Sequence, residues 1–207
     1  MNLVDPRVDD YLAAFAQSDD PVLLEMEEIA RKRDFPIVGP QVGRMLSVLA
    51  RTLGARLVVE LGSGFGYSAI WFLRGMHEGR VVMTEGSAEN VKQAERFLWM
   101  AGLDGRFQAN VGDGLVIAER LHGPVDIVFC DIDKRDYPRV YPFLATRLRR
   151  GGLFICDNML WFGRVAGPDE DPDTRGVREL TRLLYEDPAF VTTILPVRDG
   201  VGVSLKI

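Results

Sequence analysis

The chain predicts an α/β fold on a mostly parallel sheet, with helices on both faces. Short apolar runs alternate with helical patterns five times from residue 56 onward, as successive strand–helix units of a parallel sheet do. The ending differs. Residues 190–195 and 201–206 read as two strands joined through Arg198-Asp199-Gly200, and a turn that tight makes the pair antiparallel. Seven strands are therefore expected, the last two forming a C-terminal antiparallel hairpin.

The elements follow from local signals. The first third reads as helices. Asp19-Asp20-Pro21 supplies a cap and a first-turn proline, and Leu23, Leu24, Met26 and Ile29 make the apolar stripe behind them. Pro40 opens a helix through Leu53, which Gly54 ends. Strands are then expected over 56–61, 81–85, 107–111, 125–131 and 152–157. Helices are expected over 67–73, 88–101, 115–121, 138–149 (bent or broken at Pro142) and 177–185. Residues 1–36 read as an N-terminal helical appendage and 37–207 as the main domain.

Composition narrows the function classes. The chain has 207 residues, 47% hydrophobic and 27% charged, with net charge −5. That balance offers no general basic footprint for nucleic acid. No apolar span reaches the length of a membrane helix. The opening Met-Asn-Leu-Val-Asp-Pro lacks the basic region and apolar core of a secretory leader. The 2 cysteines both fall in apolar strands, which points to a reducing cytosol and no disulfide framework.

Two strands carry the chemistry. Residues 125–134 read Val-Asp-Ile-Val-Phe-Cys-Asp-Ile-Asp-Lys, and 152–158 read Gly-Leu-Phe-Ile-Cys-Asp-Asn. Each is a buried-strand run that stops at a carboxylate. A Cys precedes the acid in both, so Asp131 and Asp157 are expected in phase. Neighbouring strands lie about 4.8 Å apart, and two carboxylates at that range repel unless a proton or cation lies between them. With the neutral oxygen of Asn158, this suits a hard divalent cation. Zinc is disfavoured, because His77 and His122 lack paired-ligand spacing.

The first alternating strand, expected over 56–61, ends in Glu60-Leu61-Gly62-Ser63-Gly64-Phe65-Gly66-Tyr67-Ser68. Glycines at a strand–helix junction let the backbone turn sharply and approach a ligand, and the helix start offers free N–H groups. Glu85 ends the next strand, where an acid suits a ribose diol. NAD and S-adenosylmethionine both fit this much. Charge separates them: an anionic pyrophosphate is unfavourable in a crevice whose mouth is expected to hold Glu60, Glu85, Asp131, Asp133 and Asp157. S-adenosylmethionine carries a sulfonium, an ammonium and one small carboxylate, which Ser68 and the helix start can hold. Asp113 and Gly114 fall where an adenine edge is read.

On these residues the chain resembles the cation-dependent O-methyltransferases of the catechol and caffeoyl-CoA type, within the Rossmann-like class I S-adenosylmethionine methyltransferases. The motifs are Glu60 to Ser68, Asp131-x-Asp133-Lys134, Asp157-Asn158 and Arg198-Asp199-Gly200. The resemblance implies that Asp131, Asp157 and Asn158 ligate the metal and that Lys134 is the catalytic base. It implies that Glu60, Gly62, Ser63 and Ser68 surround the methionine portion of S-adenosylmethionine and that Glu85 holds the ribose. Val38, Gly114 and Asp133 match further cofactor contacts. It also implies a homodimer and a small-molecule methyl acceptor. The chain departs from the catechol branch at Asp133, where that branch has Trp, and from the plant enzymes at Phe162, where they have Asn.

The expected reaction is methyl transfer to a hydroxyl of a small, aromatic vicinal diol. A phenol with pKa near 10 is mostly protonated at neutral pH, and a divalent cation lowers that value and fixes the attacking oxygen. Mg²⁺ is the first expectation, with Mn²⁺ and Ca²⁺ also suited to oxygen ligands. Lys134 must be neutral to act as a base, and metal charge with burial is expected to depress its pKa against Asp133 and Asp136. The competing reading pairs Lys134 with Asp136 at the surface. Residues 159–165 read either as a wall over the acceptor or as an apolar loop used for packing or dimer contact. Two other functions compete: methylation of a hydroxylated tRNA base, using Arg147, Arg149, Arg150, Arg178 and Arg182 for phosphate, and a cofactor-binding module without catalysis.

Overall fold

A computed structural model describes residues 4–207. Residues 1–3, which belong to the expected appendage and to the segment read as lacking a secretory leader, lie outside the described residues. Three helices lead: α1 (Pro6–Ala16), α2 (Pro21–Arg33) and α3 (Gly39–Leu53). Asp20 caps α2 by accepting from the Val22 N–H at 2.9 Å, and Gly54 ends α3 in the left-handed region. The sequence reading missed α1, although Asp5-Pro6 is the same cap-and-proline signal as Asp20-Pro21. Along α2 the buried stripe is Val22, Leu23, Met26 and Ala30. Leu24, expected in that stripe, is 46% exposed, because a helix turns it about a quarter-turn away from Leu23.

The alternating part runs β1 (Leu57–Leu61), α4 (Tyr67–Gly75), β2 (Arg80–Glu85), α5 (Ala88–Met100), β3 (Phe107–Val111), α6 (Gly114–Glu119), β4 (Val125–Cys130), α7 (Tyr141–Arg147), β5 (Leu148–Cys156) and α8 (Pro172–Glu186). The chain closes with β6 (Phe190–Leu195) and β7 (Val201–Lys206). Two 3-10 segments, Lys134–Val140 and Trp161–Ala166, follow β4 and β5. The 7-stranded sheet has the order β3-β2-β1-β4-β5-β7-β6. Strands β1 to β5 pair in parallel, and β7 is antiparallel to both β5 and β6. The seven-stranded, mostly parallel sheet and its C-terminal hairpin are as expected.

Three boundaries differ, the first at α8, which begins at Pro172 behind its cap Asp171 and not at residue 177. The helix expected over 138–149 is a 3-10 segment followed by α7, whose first turn holds Pro142. Pro142 therefore starts the helix, where a missing N–H costs nothing, and does not break it. Strand β5 begins at Leu148, not at residue 152, because its early residues pair with β4 across a register shift between Val125 and Ile127.

Alternate residues of the same strands feed opposite faces. On one side Val58, Ile127 and Phe129 pack with Leu23, Met26, Leu46, Phe72 and Phe97. On the other Val59, Val128 and Phe154 pack with Leu144, Val177 and Leu180. The strand order reverses between β1 and β4, so the crevice for a ligand opens beyond their carboxyl ends. Among the described residues, no helix is long and apolar enough to cross a membrane.

Candidate active site

A crevice of about 500 Å³ lies at that switch point. Val38, Gly62, Ser63, Ser68, Glu85, Asp113, Gly114, Asp131, Asp133 and Lys134 line it. Glu60, Asp157 and Asn158 are outside its lining. The loops after β1, β2, β3 and β4 thus converge with the segment that enters α3.

The turn after β1 is forced by close approach. Gly62 has φ +83°, and a Cβ there would sit 2.2 Å from the Asp131 carbonyl oxygen. Any side chain at 62 would therefore push the glycine turn off the end of β4. Glu85 ties the same turn to β2: its Oε2 accepts from the Gly64 N–H at 3.0 Å and its Oε1 from the Ser87 N–H at 2.9 Å. Ser68 lies in the first turn of α4.

Glu60 corrects an expectation. It is not at the crevice mouth but fully buried at 0% exposure, since strand alternation turns it into the space under the glycine turn. Neither carboxylate oxygen has a well-aligned hydrogen-bond donor or a cation beside it. Burial pushes its pKa up to about 7; the nearby Ser68 and Ser63 hydroxyls pull it down in part, and Asp131 adds to the rise. A buried carboxylate without a partner calls for a cationic group, and the ammonium of an amino-acid moiety fits that need.

The two acid-tipped strands are in phase. Cys130 and Cys156 are register partners, and the Asp157 N–H donates to the Cys130 carbonyl at 3.1 Å. Tyr137 Oη donates to the Asp157 carbonyl at 2.7 Å. Asp157 is 8% exposed. Burial, then the charge of Asp131, pushes its pKa up to about 7, against the pull of the Asn158 N–H, Lys134 and Arg198. A buried carboxylate raised by burial and by the charge of a second acid beside it fits a hard cation. Asn158 Nδ2 donates to Asp199 Oδ2 at 3.3 Å, a bond that does not engage its Oδ1. Among the described residues, no group of three or more His, Cys, Asp or Glu side chains is gathered for a metal ion. The set argued from the sequence is two carboxylates and an amide.

Lys134 faces inward, with its side chain 13% exposed. Its Nζ lies 2.9 Å from Asp131 Oδ1 and 3.2 Å from the Ile132 carbonyl. The partner is Asp131, not Asp136. The Tyr137 and Trp161 rings lie 5.5 Å and 5.7 Å from the same nitrogen. Burial disfavours the ammonium, as expected, but the charge and hydrogen bond of Asp131 outweigh it and hold its pKa above the ordinary lysine value; the depression expected of metal charge would act against that pair. A cation at Asp131 is what would remove that partner.

Asp113 does two structural tasks. Its Oδ1 caps α6 by accepting from the Leu115 and Val116 N–H groups at 2.9 Å and 3.1 Å, and its Oδ2 accepts from Arg139 at 3.3 Å. Arg139 also lines the crevice and carried no sequence signal. Phe35 and Tyr67 line it as well. Tyr67 was visible inside the Glu60–Ser68 motif, and its Oη donates to Glu27 at 2.6 Å. The Trp161 indole N–H is buried without a partner, and Phe162 beside it is 65% exposed.

Comparison with known proteins agrees with this geometry. The family model described as O-methyltransferase matches residues 14–207. A catechol O-methyltransferase from Mycobacterium tuberculosis is 31% identical over 194 residues, covering 92% of this chain and 88% of that protein. The O-methyltransferase from Bacillus cereus, solved in complex with SAH, superposes with a TM-score of 0.88 at 28% identity, covering 97% of each chain. An O-methyltransferase from Streptomyces achromogenes involved in tomaymycin synthesis, solved in complex with SAM, gives 0.87 at 29% identity over 97% of this chain and 96% of that one. The chain belongs to the O-methyltransferase family.

Proposed function

We propose that the protein transfers a methyl group from S-adenosylmethionine to a hydroxyl of a small, catechol-like vicinal diol, with a divalent cation at Asp131, Asp157 and Asn158. The observation that carries this reading is the crowding of two buried acids, Glu60 and Asp157, around Asp131, at a glycine turn that touches the Asp131 backbone. One partnerless carboxylate suits an ammonium, and the other pair suits a metal.

Each residue has a stated task. Glu60 balances the ammonium of the methionine portion, and the start of α4 with Ser68 holds its carboxylate. Glu85, already oriented by Gly64 and Ser87, accepts from the ribose hydroxyls. Asp131, Asp157 and Asn158 supply three oxygens to the cation, for which Mg²⁺ is the first choice. When bound, that cation would lower the pKa of the acceptor hydroxyl and fix two adjacent oxygens. Lys134 Nζ, once released from Asp131 and having lost its own proton to solvent, would take the hydroxyl proton as a neutral amine. Trp161 and Phe162 pack a planar acceptor and exclude water.

The overlap with proteins named O-methyltransferase and catechol O-methyltransferase supports the chemistry. No observation favours tRNA: of the five candidate arginines, Arg147, Arg149, Arg178 and Arg182 are tied to carbonyls or acids of their own chain, and the fifth, Arg150, is exposed. A homodimer is supported by Val8, Tyr11, Leu12 and Phe15, which lie exposed along α1 at the spacing of one helix face. The test is a reaction of protein, labelled S-adenosylmethionine, Mg²⁺ and a catechol, with and without EDTA. Labelled product that EDTA suppresses is expected. An accepted substrate methylated equally well in EDTA contradicts the metal.

A further inference from the structure

The turn that closes the sheet is bonded to the site more heavily than a hairpin needs. Asp199 Oδ2 accepts from Asn158 Nδ2 at 3.3 Å, and its Oδ1 accepts from the Phe162 N–H at 2.5 Å. The carbonyls of Asp199 and Gly200 accept from the Leu160 and Met159 N–H groups, both at 2.9 Å. Among the described residues, five non-glycine residues have positive φ: Asp34, Asn158, Trp161, Phe162 and Arg198. Four of these five lie in this knot. Left-handed backbone at such residues persists only where the surroundings over-determine it, and it gathers at functional sites.

The chemistry of the pair fixes an orientation. A carboxylate only accepts hydrogen bonds. Asn158 must therefore present Nδ2 to Asp199, and its Oδ1 is left as the atom that can ligate. A hard cation takes the amide oxygen and not the nitrogen. Without Asp199 the amide is free to rotate and offer the wrong end.

We propose that Asp199 is the positioning residue of the cation site, holding the Asn158 amide oxygen toward the ion and, through the Phe162 N–H, setting the start of the acceptor wall. It acts through Asn158 and lies outside the residues that line the crevice. This rests on the cation site proposed above. It is the kind of outer partner whose loss weakens metal binding about 10- to 100-fold.

The test is Mn²⁺ binding to the full chain without cofactor or acceptor, read by the electron paramagnetic resonance of free Mn²⁺. SAH affinity is measured on the same proteins by calorimetry. Wild type should bind Mn²⁺, and Asp157→Asn should abolish binding. Asp199→Ala should weaken it about tenfold or more while leaving SAH affinity unchanged, which shows that the fold is intact. Asp199→Asn keeps one acceptor oxygen and should recover part of the loss. Wild-type Mn²⁺ affinity in Asp199→Ala, with binding lost in Asp157→Asn, overturns the positioning role and leaves the cation site standing. Equal loss of Mn²⁺ and SAH affinity in both Asp199 variants also overturns it, as a general loosening of the turn. No Mn²⁺ binding by wild type, or undiminished binding by Asp157→Asn, removes the cation site and this role with it.

Discussion

Glu60 places a carboxylate under the glycine turn with no well-aligned hydrogen-bond donor, and two measurable effects follow. Its pKa is raised to about 7, so the folded chain binds a proton that the unfolded chain has released. Stability from this group is present below the ordinary carboxylate range and is lost as pH rises through about 7. Ligand-free wild type should therefore lose melting temperature relative to Glu60→Gln between about pH 5 and pH 8, by on the order of 3 kcal/mol in stability. Parallel melting curves would contradict this. Glu60→Gln should also weaken S-adenosylmethionine about 10- to 100-fold, as expected for removing one charged hydrogen-bond partner, measured by calorimetry. At Lys134, replacement by Ala should slow turnover by about 10²-fold or more with SAH affinity unchanged. Unchanged turnover takes Lys134 out of the chemistry, and loss of SAH affinity would make it a cofactor residue.

Between elements, the decisive contacts are backbone approaches. Gly62→Ala should abolish cofactor binding in calorimetry while the far-ultraviolet spectrum stays α/β, because its Cβ meets the Asp131 carbonyl. Full SAH affinity in that variant would show that the turn has slack. Gly176 in α8 plays the same part for the segment that carries Lys134: a Cβ there would sit 2.1 Å from the Lys134 carbonyl. The Asp131/Asp157 phase was legible, because paired strands with Cys before each acid leave one register that ends both together. So were the caps at Asp20 and Gly54, which are local signals. Arg139 and Asp199 were not legible as site neighbours, since their partners lie 26 and 41 residues away in the chain. Glu60 was read at the mouth because a motif gives order along the chain but not depth. Whether Lys134 turns inward or pairs with Asp136 at the surface stayed open in the sequence, because the inward turn of the 3-10 segment leaves no periodic trace.

At the scale of the molecule, the fold brings four loop ends to one switch point and wires the last hairpin into it. Arg198 Nη1 donates to the Ile37 carbonyl at 2.8 Å, so the closing turn also holds the segment beside Val38. The exposed stripe on α1 belongs to the same scale. Light scattering should give the mass of two chains, and a monomer at working concentrations would remove the dimer. The cation beside the cofactor pocket is tested most directly by crystals grown with Mn²⁺ and SAH and measured at the manganese absorption edge. A single anomalous peak touching Asp131, Asp157 and Asn158, next to the SAH sulfur, is expected. Ordered SAH with no peak at those three residues, or a peak elsewhere, would contradict it.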